Sequence, residues 1–180
     1  MANFPPHPFW DYSLALYAKP GVSAACLTLQ DEFDLDVNLI LFCLWAGAEG
    51  PGDLLPAELG EAVTRGGQWQ QEVVQRLRFI RRTLKHDSLG ATAELAQLLR
   101  PEAQSLELMA EHAEQLTLAG IVPATRGEHG VKPALRNLQA YFELAGVTGN
   151  ESAQPELRTI LSNAWPTQNW PESEAIWAQI

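Results

Sequence analysis

Val37-Asn38-Leu39-Ile40-Leu41-Phe42-Cys43-Leu44-Trp45-Ala46-Gly47-Ala48 is the stretch on which the fold turns. It is apolar nearly all round, interrupted only by Asn38. A helix without a polar face is buried on all sides or sits in a bilayer. Twelve helical residues span about 18 Å, well short of a hydrocarbon core of about 30 Å, so the stretch predicts a central buried helix and no membrane span. Asp36 stands where an N-cap belongs and Gly50-Pro51-Gly52 is an emphatic break, which bounds the helix at 37–49.

Upstream, Val22, Ala25, Cys26, Leu29 and Phe33 fall on one stripe of a helix over 22–33. Before it, Pro8 to Ala18 reads as a first helix with Trp10, Leu14 and Tyr17 on one face, stopped by Pro20-Gly21. Downstream, Pro56 opens a short helix that Gly66-Gly67 is expected to close near Arg65. A long amphipathic helix over 68–85 follows, its core face made of Trp69, Val73, Leu77, Ile80 and Leu84. Helix is expected again over 88–118, broken or kinked at Arg100-Pro101 because proline removes a donor and clashes with the preceding turn. Residues 120–130 read as irregular, and 132–145 and 155–164 as helices. The expectation is an all-α compact bundle of about seven or eight helices around the buried 37–49 helix, with residues 1–164 as one domain and 165–180 as a tail.

Composition agrees with an all-helical chain. Its 26 Leu and 24 Ala against 8 Val and 6 Ile favour helix over strand. At 180 residues and 46% hydrophobic, a chain buries about 70% of its extended surface and closes a core without disulfides or metal. Cys26 and Cys43 lie in apolar helical patterns without CxxC spacing, which reads as two buried free thiols in a reducing compartment. The N-terminus has neither a basic nor an apolar leader region, so a cytoplasmic location is expected.

Few residues suggest chemistry. Asp31, Asp34 and Asp36 are the candidates for a metal, and Asp34-x-Asp36-x-Asn38 opens like a calcium loop. Leu39 then occupies the glycine position and Trp45 the closing glutamate position, so a Mg²⁺-type role is the remaining metal reading beside plain helix capping. The histidines 7, 86, 112 and 129 are scattered, and no serine elbow, phosphate loop or zinc motif occurs. No catalytic residue and no cofactor is implied.

Charge is the sharper signal. The net charge of −10 argues against general nucleic-acid binding. Yet residues 65–85 hold half of the 12 basic residues against the single acid Glu72, leaving the rest at −15. Arg78, Arg81, Arg82 and Lys85 form one helical stripe, and Glu107, Glu111 and Glu114 form an acidic stripe farther on. Either the two stripes face each other or the basic one meets an anionic partner. Trp165, Trp170 and Trp177 crowd the last 16 residues, a tail that either folds back over an apolar groove or anchors on a partner.

The block Phe9-Trp10-Asp11-Tyr12-Ser13-Leu14-Ala15-Leu16-Tyr17-Ala18-Lys19-Pro20-Gly21-Val22, with Leu35-Asp36-Val37-Asn38-Leu39 through Trp45, resembles the N-terminal hallmark of a small uncharacterised proteobacterial family. Trp69-x3-Val73-Val74-x2-Leu77-Arg78-x2-Arg81-Arg82-x-Leu84-Lys85 resembles its second block, so the resemblance covers about residues 9–118. It brings no assigned activity; it implies a cytoplasmic protein and, through frequent encoding beside a translation-type ATP-binding-cassette ATPase, a protein partner. The expected function is a non-enzymatic adaptor or regulator that engages a protein partner, or a second copy of itself, through the basic stripe, the tail or both. The alternative is a helical enzyme or small-ligand binder for a phosphorylated or carboxylate ligand, with or without Mg²⁺.

Overall fold

The computed structural model describes residues 4–86, 92–147, 151–170 and 176–179, all helix, turn or loop without a strand. The helices are α1 (Pro8–Tyr17), α2 (Val22–Phe33), α3 (Val37–Ala48), α4 (Pro56–Trp69), α5 (Gln75–His86), α6 (Ala93–Ala119), α7 (Val131–Leu144) and α8 (Gln154–Ala164). A π-turn at Gln70–Val74 joins α4 to α5 end to end. Among the described residues, eight α-helical segments therefore make seven rods.

α3 is the central helix. Ten of its twelve residues are buried, and its first turn is capped by the Asp36 carboxylate accepting from the Asn38 N–H at 2.8 Å. It is surrounded by α1, α2, α4, α6 and α7. The closest approach is to α7, at Gly47. A Cβ there would lie 2.2 Å from the Ala134 nitrogen, so only glycine lets the two backbones meet. Asn137 of α7 then pins the loop that leaves α3: it accepts from the Leu54 N–H at 2.8 Å and donates to the Gly52 carbonyl at 2.9 Å. Phe9 of α1 stacks on Trp45 with centroids 5.1 Å apart, and α2 lays Val22, Ala25, Cys26 and Leu29 against the core. Both cysteines are free and buried.

Three local expectations are revised. Gly66-Gly67 does not close a helix, since α4 runs through both to Trp69. Gly66 is buried under Glu114, Leu39 and Leu118, and this packing holds the backbone helical despite the weak propensity of two glycines. Pro101 does not break α6, which is continuous from Ala93 to Ala119. The carbonyl that the proline leaves without a donor is that of Gln97, and both residues are exposed, so water can supply the missing donor. The start expected for this helix at Ser88 lies outside the described residues. Finally, the face Trp69, Val73, Leu77, Ile80 and Leu84 is not core. Ile80 is 47% exposed and the others are partly exposed, because α5 packs chiefly on α6.

Candidate functional site

The basic stripe divides in two. Arg78 sits between three acceptors, with Glu107 and Glu111 carboxylate oxygens each at 3.0 Å and the Gln30 amide oxygen at 2.7 Å. Arg81 grips both oxygens of Glu107. Burial works to raise the Glu107 carboxyl, but hydrogen bonds from Arg81 and Arg78 outweigh it and hold that group below its ordinary range. At Glu111 burial wins over Arg78, and the carboxyl is raised. Arg65 pairs with Glu61 within α4, and Arg76 of α5 pairs with Glu72 of the π-turn. Arg82 and Lys85 are exposed and make no ion pair among the described residues.

Glu114, the third member of the acidic stripe, faces none of these arginines. It is 1% exposed, inside the bundle, against Asp36 at the N-terminus of α3. The Asn38 amide donates to Glu114 at 2.8 Å, and Gln115 in turn donates to the Asn38 oxygen at 2.8 Å. The Gln70 amide donates weakly to both Asp36 and Glu114, at 3.4 Å each. Asp36 Oδ2 and Glu114 Oε1 are sealed from solvent without a partner, and one proton shared between these two carboxyls gives both a hydrogen bond. Burial first, then the negative charge of Asp36, pushes Glu114 up to about 10. Asp36 is raised too, by burial against several hydrogen bonds.

A cleft lies on either side of Gln70, with Asn38 and Gln115 lining one side and Asp36 the other, while Glu114 sits behind them in the interior. One side, about 140 Å³, is walled by Trp10, Leu14 and Tyr17, the face of α1 that periodicity singled out, together with Leu27 of α2 and Leu108 of α6. The other, about 450 Å³, lies between the α2–α3 connection, the π-turn and α7. Gln30, Gln70 and Arg78 line both. The π-turn matters here, because its extra residue lets Gln70 point at the carboxyls while Val74, one turn on, is fully buried. Asp34 lines the larger side together with Asp36, and Asp31 does not line it. Among the described residues no group of three or more His, Cys, Asp or Glu side chains is placed to hold a metal.

A second open surface lies on the outer side of α5 and α6. The stripe expected to be core lines two shallow hollows of about 550 and 540 Å³ that share Leu106 and Met109. Leu99 (55% exposed), Leu106 (50%) and Ile80 form its open walls, and Phe79 and Leu98 stand out beside it at 69% and 70%. Phe4 reaches the first hollow from the N-terminal segment, while the second is lined by α5 and α6 alone, so the hairpin is an arm whose apolar side is largely open among the described residues.

The tail tryptophans lie elsewhere. Trp165, Trp170 and Trp177 are each partly buried against the core. The Trp170 indole N–H donates to the Trp165 carbonyl at 3.3 Å, and Trp177 meets Phe142 edge-on at 5.5 Å. Ile176 beside it is fully buried, its N–H donating to Gln154 at 2.9 Å. Residues 171–175 and 180 lie outside the described residues.

The functional residues that sequence reasoning missed are Glu114 as an interior group, Gln70 and Gln115. A signal existed in Asn38, since a lone amide in an otherwise apolar buried helix requires polar partners. No such signal pointed at Gln70, whose placement depends on the π-turn.

An all-helical bundle with a polar cleft and an uncovered apolar arm defines the class. Residues 8–118, which contain the central helix, the cleft carboxyls and the arm, match the family described as a protein of unknown function, DUF2390. The chain belongs to that family. No curated protein matches it, nor does any solved structure.

Proposed function

We propose that the chain is a non-enzymatic adaptor or regulator that docks a protein partner on the α5–α6 arm. The observation that carries this reading is the open apolar groove along the arm, bounded by Ile80, Leu99 and Leu106. A contiguous exposed apolar surface on a chain with an ample buried core is the mark of an interaction face. Its shape, a seam between two helices, suits an amphipathic helix inserting anchors one turn apart. Arg82 and Lys85 are the stripe residues left without a carboxylate, so the partner helix carries acidic residues beside its apolar anchors. Arg78 and Arg81 serve as braces of the arm against α6 rather than as contacts. The two buried free thiols support a reducing, cytoplasmic setting.

The test is a photo-crosslinking residue placed at Leu99 in cells. The expected result is one discrete crosslinked protein, lost when Leu106→Asp is added. A second copy of this chain as the sole product would make the arm a self-association face. The same products from a crosslinker at Leu144, exposed on another side, would contradict arm docking.

A further inference from the structure

The cleft beside the arm is separate from the docking groove and has its own chemistry. Its floor is rich in polar atoms that lack partners: Gln115 Oε1 and Gln70 Oε1 have no donor, and the buried Ser13 hydroxyl is unpartnered too. Ser13 and Gln115 are each 3% exposed and line the smaller chamber. The charges nearby do not favour an anion. Arg78 is fully engaged by Glu107, Glu111 and Gln30. The Asp36–Glu114 pair keeps one negative charge even when it shares a proton, and Asp34 adds another at the larger mouth.

Gln70 is the stopper. Its amide nitrogen spans Asp36 Oδ1 and Glu114 Oε2 at 3.4 Å each, the long end of hydrogen bonding, and its oxygen is left without a donor. A neutral amide is therefore a poor occupant of a position between two carboxyl oxygens. A cationic donor forms shorter and roughly twice as strong hydrogen bonds there.

We propose that the cleft binds an organic amine with an apolar body, whose ammonium group displaces the Gln70 amide between Asp36 and Glu114. The body then lies in the smaller chamber against Trp10, Leu14 and Tyr17, where apolar walls meet a few convergent polar groups as ligand sites do. Its volume of about 140 Å³ corresponds to roughly ten water sites, which sets the ligand at about ten non-hydrogen atoms. An aromatic ring is the favoured body, since it can pack against Tyr17 and against Trp10, one face of which stacks on His112 at 4.0 Å.

The probe is 2-phenylethylamine, titrated into the full chain and followed by calorimetry and by the Trp10 indole and Gln70 side-chain amide NMR signals. Saturable binding with shifts at both signals is the expected result, with at least a tenfold loss in Asp36→Asn, which retains a residue competent to cap α3. Leu27→Arg, at the exposed mouth of the chamber, should cause a similar loss without disturbing the buried cluster, and so carries the test if Asp36→Asn does not fold. Leu99→Asp on the arm should leave amine affinity unchanged, which separates this site from the docking groove. Equal affinity for 3-phenylpropionate, competition by magnesium chloride, unchanged affinity in Leu27→Arg, or no saturable binding would each overturn the proposal.

Discussion

Two residues carry much of the specification of the interior, and they do so in opposite ways. Gly47 contributes by having no side chain, because the α3–α7 contact closes on the backbone of Ala134. Gly47→Ala forces these helices apart and should cost about 3 kcal/mol or more, measured by urea unfolding. Gly67, in α4, has nothing within 4 Å of where a Cβ would go. Gly67→Ala should therefore stabilise the fold by up to about 1 kcal/mol, through helix propensity alone. Glu114 contributes a buried carboxyl that stays protonated at neutral pH. Its folded pKa lies above its unfolded one, so its own contribution to stability is fully present below about 4.3, where both states hold the proton, and is lost as pH rises toward about 10. Glu107 has the opposite sign: its depressed carboxyl stabilises above the unfolded value, and that contribution is lost as pH falls through the folded one. Glu114→Gln keeps a hydrogen-bonding side chain in place of the acid. It should flatten the stability profile between pH 5 and 8 and raise stability at pH 8 by on the order of 1–3 kcal/mol. Parallel profiles for parent and variant would show that Glu114 is ionised in the fold.

At the scale of elements, periodicity found the apolar stripes and could not tell which of them were covered. The stripe of α2 is core, as its spacing requires. The stripe Trp69 to Leu84 has the same pattern yet lines an open groove, because among the described residues α6 lies against it with Phe4 at one end and no further helix covers it. Trp10, Leu14 and Tyr17 wall the cleft, while the side of α1 that enters the core carries Phe9, Ser13 and Leu16. Spacing reports amphipathicity, and coverage depends on neighbours distant in sequence. The same reason explains the two failed breaks. Local propensity marks Gly66-Gly67 as a helix end and Pro101 as a break or a kink, but packing over Gly66 and the solvent exposure of Pro101 keep both helices continuous. Pro101 still weakens the arm where it lies. Pro101→Ala should stabilise α6 by about 1–3 kcal/mol and slow amide exchange in its N-terminal half, without affecting exchange in α3.

Over the whole molecule, the charge of −10 is unevenly distributed, with the excess of positive charge concentrated in residues 65–85. Folding then neutralises most of that excess: Arg65, Arg76, Arg78 and Arg81 all meet carboxylates, and Arg82 and Lys85 remain on the exposed arm. The all-helical class and the buried α3 were legible from composition and one apolar run. The division of the arginines into braces and free charges was not, because it depends on which turn of α6 lies opposite α5. The resulting molecule has a packed body and an arm with one apolar side open, and its central claim concerns that side. The direct measurement is the affinity of the protein trapped at Leu99, compared between the parent chain and Leu99→Asp/Leu106→Asp. Both leucines are about half exposed, so the double substitution should leave thermal stability within about 1 kcal/mol of the parent. The account predicts at least a tenfold loss of affinity in that variant, and a smaller, salt-dependent loss in Arg82→Glu/Lys85→Glu. Unchanged affinity in the leucine variant would contradict it.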